Sequence, residues 1–119
     1  MSYVNIFEEI LGKVLVSAVE NGDKSVVFTT SEGDKYELTH HQDCCEYVYI
    51  ESVVGDLQDL VGNPITMAER VTQTDDSGNN ESATWTFLKF ATIKGYVDVR
   101  FHGSSNGYYS ETASMYKLT

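Results

Sequence analysis

Five residues without a bulky side chain, Gly103-Ser104-Ser105-Asn106-Gly107, follow Arg100 and His102 and precede Tyr108 and Tyr109. Backbone N–H groups in such a loop can face an anion, the Arg100 fork can hold a phosphate, and the phenol rings can stack on a base. Arg70 is the only other arginine in the chain. The candidate ligand set is therefore Arg100, His102, Ser104, Ser105, Asn106, Tyr108, Tyr109 and Arg70. The same residues also suit a plain hairpin loop whose tyrosines cover a sheet edge, and composition leaves both readings open.

A second cluster, His40-His41-Gln42-Asp43-Cys44-Cys45-Glu46, places two imidazoles, two thiols and two carboxylates within seven residues. Each type can ligate zinc or iron. On an extended strand, however, His40 and His41 face opposite sides, and completing a site would require His102. No metal is assigned, and the thiols are read as small buried groups. A cysteine nucleophile would further need an orienting group and an oxyanion hole, which no spacing supplies. Acid pairs such as Asp43 with Glu46, or Glu51 with Asp56, are read as a solvated face. Phosphate-loop, dinucleotide and helical zinc-protease motifs are missing from the sequence. The expectation is a protein that is not an enzyme and uses no cofactor.

The elements that must position these residues are mostly strands. Asn5 to Gly12 has the apolar spacing, early acids and terminal glycine of a short helix. Lys13 to Glu20 and Ser25 to Thr30, joined by Asn21-Gly22, predict a hairpin, and Lys35 to His41 adds a third strand. Glu46 to Val54 alternates Val48 and Ile50 against Tyr47 and Tyr49. An aspartate cap at Asp56 with Leu57, Leu60 and Val61 predicts one or two helical turns before Pro64. Ile65 to Thr74 reads as a strand, and the apolar-free stretch Asp75 to Ser82 as a hairpin tip. Ala83 to Lys94 follows, where either both faces are covered or a bulge shifts the register, with Trp85 and Phe87 assigned to the core. Tyr96 to His102 alternates Val97, Val99 and Phe101 against Tyr96, Asp98, Arg100 and His102. A last strand runs to about Leu118. The sum is one α+β domain over residues 1–119, an antiparallel meander of about seven or eight strands with two short helices.

At 119 residues the chain fits one domain that buries roughly 65% of its extended surface without staples. Eighteen acids against eight bases give a formal charge of −10. That field repels a polyanion, which argues against nucleic acid as a partner. A small anion is different, since local donors outweigh distant screened charge. No apolar run approaches a membrane span and no basic start precedes one, so a cytoplasmic protein with reduced thiols is expected. Tyr47 and Tyr49, at period two, and unprotected strand edges suggest a homo-oligomer.

The strings His41-Gln42-Asp43-Cys44-Cys45-Glu46-Tyr47-Val48-Tyr49-Ile50-Glu51, Gly55-Asp56-Leu57 with Leu60-Val61-Gly62, and Arg100 to Glu111 resemble a small phage and prophage family of unknown function. The likeness spans about residues 8 to 116. It is associated with phage counter-defence proteins, notably the Thoeris anti-defence sponges, which sequester cyclic ADP-ribose signals, and in some members cyclic oligonucleotides, without cleaving them. The resemblance transfers no ligand contact to a residue of this chain. It implies a phage protein in the cytoplasm of an infected bacterium that traps a small nucleotide-like immune signal, with the pocket between subunits. The alternative is an acidic nucleic-acid mimic that occupies the basic groove of a host defence nuclease, as anti-CRISPR proteins do.

Overall fold

The computed structural model describes residues 5–42, 46–75, 82–105 and 111–118. Helix α1, Ile6–Glu9, is a single turn whose Asn5 side chain accepts from the Phe7 N–H. Strands β1 (Leu15–Asn21), β2 (Ser25–Thr30), β3 (Lys35–Thr39) and β4 (Tyr47–Val54) follow. A 3-10 turn at Leu57–Leu60, capped by the Asp56 carboxylate, leads to β5 (Met67–Asp75), β6 (Ser82–Thr92), β7 (Gly95–Ser105) and β8 (Ser114–Lys117). The fold class is the expected one: antiparallel, β-rich, with one short helix and one short central helical turn.

The strands divide into two four-stranded sheets, ordered β1-β2-β3-β8 and β4-β7-β6-β5. The return of β8 to β3, and the insertion of β7 between β4 and β6, are pairings between distant segments that alternation along a strand does not encode. Both sheets contribute to one core. Phe28 of β2 meets Phe90 of β6 edge to face at 5.1 Å, and Tyr36, Leu38 and Met115 share that interior with Leu88, Val97, Val99 and Phe101. The tight turn after β1 rests on Gly22, whose φ is 59°.

At one end the interior becomes polar. Residues 111 to 113 cross the inner face of β6 and β7, where the Ala113 N–H donates to Thr86 Oγ1 at 3.2 Å and Thr84 Oγ1 donates to Glu111 Oε1 at 2.8 Å. Thr84 and Thr86 therefore hold the inward positions of β6. Trp85 and Phe87, assigned to the core from sequence, instead point outward and stay half-buried. β6 pairs with β5 and β7 residue by residue, so no bulge shifts its register. The bulges lie in β1, between Leu15 and Ser17, and in β4, between Ile50 and Ser52.

Candidate functional site

Alternation along β7 sets the chemistry of its two sides. Phe101, Gly103 and Ser105 face inward and are buried, while Arg100, His102 and Ser104 face outward. Antiparallel pairing then places Phe87 opposite Arg100, Trp85 opposite His102, and Tyr49 of β4 on the other side of His102. The outer face of three adjacent strands becomes a row of rings. Tyr47 and Tyr49 lie 5.2 Å apart, Tyr49 and His102 5.9 Å, and His102 meets Trp85 edge to face at 4.6 Å. Trp85 and Phe87 follow with ring planes parallel within 2° at 6.2 Å.

Cations sit over this row. The Arg100 guanidinium carbon is 5.3 Å from the Trp85 ring centre and 5.2 Å from that of Phe87. Lys24 Nζ lies 4.4 Å from the Tyr47 ring, and Lys89 Nζ lies 5.9 Å from that of Phe87. These contacts set the charged ends themselves over ring faces. Among the described residues Arg100 forms no salt bridge. The nearest acid on the strand is Asp98, two residues back on the same face. Burial pushes its carboxyl above the usual carboxylate range, opposed by the charges of Lys89 and Arg100, and its Oδ1 has no hydrogen-bond partner among the described residues. In an acidic chain this face gathers three of the eight bases. It can stack a planar heterocycle and neutralise an attached phosphate in one place.

The other sequence-derived candidates are elsewhere. Ser105 points inward and donates to Glu111 Oε2 at 2.7 Å. Arg70 pairs in register with the buried Leu88, on the opposite side of the sheet from Arg100, and its Nε donates to the Ala113 carbonyl at 2.7 Å. It lines a cavity of about 590 Å³ between α1 and β5 with Phe7, Glu8 and Glu69. A second cavity, about 720 Å³, lies beside β1 and the 3-10 turn. Neither includes Arg100. Asn106, Tyr108 and Tyr109 lie outside the described residues, as do Asp43, Cys44, Cys45 and residues 76–81 of the stretch Asp75 to Ser82 expected as a hairpin tip. Sequence reasoning does not include Tyr49, Trp85 or Phe87 in the site; for Trp85 and Phe87 the available signal is their shared phase with Lys89 along β6.

The histidine-cysteine segment supplies one buried pair. His40 Nε2 lies 2.8 Å from Glu46 Oε2, and its Nδ1 lies 2.8 Å from the Thr112 carbonyl. A carbonyl only accepts, so Nδ1 is the donor in the Thr112 contact and Nε2 faces the carboxylate. Gln42 Nε2 also donates to Glu46 Oε1, at 3.2 Å. This network joins β3, β4 and the 111–113 segment, a structural use of the imidazole. Among the described residues no three His, Cys, Asp or Glu side chains group to hold a metal ion, and no helix is long and apolar enough to cross a membrane.

Residues 8–115 match the family described as a domain of unknown function, DUF7448. The chain belongs to the DUF7448 family. The matched span takes in all eight strands except the last two residues of β8, so the outer aromatic face lies wholly within the DUF7448 domain. No curated protein and no solved structure matches the chain.

Proposed function

We propose that this protein is a non-catalytic binding protein that captures a small nucleotide-like anion on the outer face of the β4-β7-β6 strands. The observation that carries the reading is Arg100. Its guanidinium lies across both Trp85 and Phe87 with no carboxylate bridged to it among the described residues. A heterocycle stacked on these rings gains on the order of 1–3 kcal/mol per base, and a phosphate beside it gains a charge-assisted hydrogen bond. His102 and Ser104, on the same strand face, supply further polar contacts. The phage counter-defence role suggested by the resemblance names the ligand class: cyclic ADP-ribose isomers or cyclic oligonucleotides, sequestered rather than cleaved. A polyanionic nucleic acid would meet the net charge of −10 along its whole length, whereas a small anion meets mainly the local cations.

The chain has one tryptophan, and it lies in this site. Titration with cyclic ADP-ribose isomers and cyclic dinucleotides, followed by Trp85 fluorescence and by calorimetry, is expected to show saturable quenching with matching heat. Heat-denaturing the complex should release the ligand chemically intact. Absence of both quenching and heat across these compounds rules the reading out, and recovery of a hydrolysed ligand replaces it with an enzyme.

A further inference from the structure

The two sheets present four edge strands, β1, β8, β4 and β5, and an unprotected edge is a template for another strand. Three of them are blunted. β1 carries a bulge, its Leu15 carbonyl accepts from the Gly62 N–H at 2.9 Å, and its Ala18 carbonyl accepts from the Gln58 side chain at 3.3 Å. β4 carries a bulge, and its Ile50 N–H donates to the Asp23 carbonyl at 2.6 Å. β8 is four residues long and ends at Lys117, which pairs with Glu9 at 3.5 Å.

β5 has none of these devices. It is nine residues long, contains no proline, and pairs with β6 from Met67 to Asp75 without a register shift. Residues 69 to 74 are all exposed. In an antiparallel ladder alternate N–H and C=O groups point away from the paired strand, so the far side of β5 offers a regular row of both. We infer that β5 is where a second copy of this chain adds its own β5, antiparallel, joining two four-stranded sheets into one of eight strands.

The sequence of β5 selects one register. A two-fold axis normal to a continuous sheet keeps each outer face outer, and opposed residues must point to the same side. Centring the axis on Val71 opposes Val71 to Val71, Glu69 to Gln73 and Arg70 to Thr72, with no like charges in contact. Centring it on Arg70 sets arginine against arginine, and centring it on Thr72 sets Glu69 against Asp75. Like charges directly opposite destabilise a strand pair, and Val71 is the midpoint of Met67–Asp75, so its register alone pairs the whole strand without such a contact, whereas centring on Gln73 pairs only residues 71 to 75. Val71 is 40% exposed in the single chain, an apolar side chain that the partner's Val71 would cover. The two Arg100 faces would lie on the same side of the joint sheet, about 24 Å apart at five strand spacings. The inference stands on the edge alone and does not depend on the proposed ligand.

Gln73 gives the test. Within one chain Glu69 and Gln73 are about 13 Å apart along the strand, too far to pair, but across the axis they are neighbours. Sedimentation of the full chain is expected to show a dimer. Gln73→Lys should lower its dissociation constant about 2- to 30-fold, because two exposed ion pairs form per dimer, and Gln73→Glu should raise it comparably. Adding Glu69→Lys to Gln73→Glu should restore the dimer, which a folding defect would not do. A chain that remains monomeric at millimolar concentration overturns the inference. So does a dimer whose dissociation constant is the same for the Lys and Glu variants at residue 73.

Discussion

The Arg100 guanidinium lies 5.3 Å from the ring of Trp85, its diagonal neighbour across the β6-β7 pair, while Phe87 stands directly opposite in register. Two rings on one strand thus hold a cation on the next. Arg100→Ala is expected to weaken binding of the nucleotide-like anion by about 10- to 150-fold, the loss of one charge-assisted contact of about 1.5–3 kcal/mol. Arg100→Lys should recover part of it, as a point charge replaces the planar fork. Stability should change by no more than about 1 kcal/mol, since a half-exposed cation–π contact is worth that much. Calorimetric titration beside urea unfolding separates the two effects; an Arg100→Ala protein that binds as tightly as the parent contradicts the assignment.

The expectations that hold and those that fail differ in the range of the information they need. Asn21-Gly22 encodes the β1-β2 turn locally, and the phase of Val97, Val99 and Phe101 fixes which side of β7 is buried. Alternation therefore puts Arg100 and His102 on one face; Ser104, expected in the Gly103–Gly107 loop, joins them because β7 runs on through Gly103 and Ser104 to Ser105, whose backbones pair with β6 instead of lining an open loop. Trp85 and Phe87 are misplaced from sequence because hydrophobicity favours the interior, whereas the inward side of β6 must serve polar groups from residues 111 and 113, some 27 positions away. Charge type groups Arg70 with Arg100. Register places it beside Leu88, on the other side of the sheet, and no local pattern contains that.

Gly103 tests the path of the returning segment. A Cβ built there would fall on the Glu111 carbonyl, a backbone atom that cannot swing aside. Gly103→Ala is expected to cost about 2 kcal/mol or more through overpacking. Gly95 is the comparison, because a Cβ there meets the end of the Asp59 side chain at 2.9 Å, which can rotate away. Gly95→Ala should cost well under half as much. Urea midpoints of the two variants decide the matter, and equal losses would remove the Glu111 contact as the cause.

The acid limb of stability should depend on Tyr36. Its hydroxyl donates to Glu9 Oε2 at 2.6 Å, and Lys117 Nζ lies 3.5 Å from the same oxygen. That hydrogen bond, with the Lys117 charge beside it, holds the Glu9 carboxyl below its ordinary value of 4.5 against an opposing effect of burial. A depressed carboxyl contributes stability above its unfolded value and loses it as pH falls through the folded one. Tyr36 behaves oppositely: burial and then Glu9 push its hydroxyl well above 10.0, so its contribution is complete below that pH and declines above it. Tyr36→Phe removes both couplings. It should cost about 1 kcal/mol at neutral pH, and the gap to the parent should close as pH drops below Glu9's folded value. Above pH 10 the gap should close again, because the parent alone carries a phenol that ionises on unfolding. Urea unfolding across this pH range reads both ends, and parallel curves for the two proteins would show that the hydrogen bond contributes nothing to the linkage.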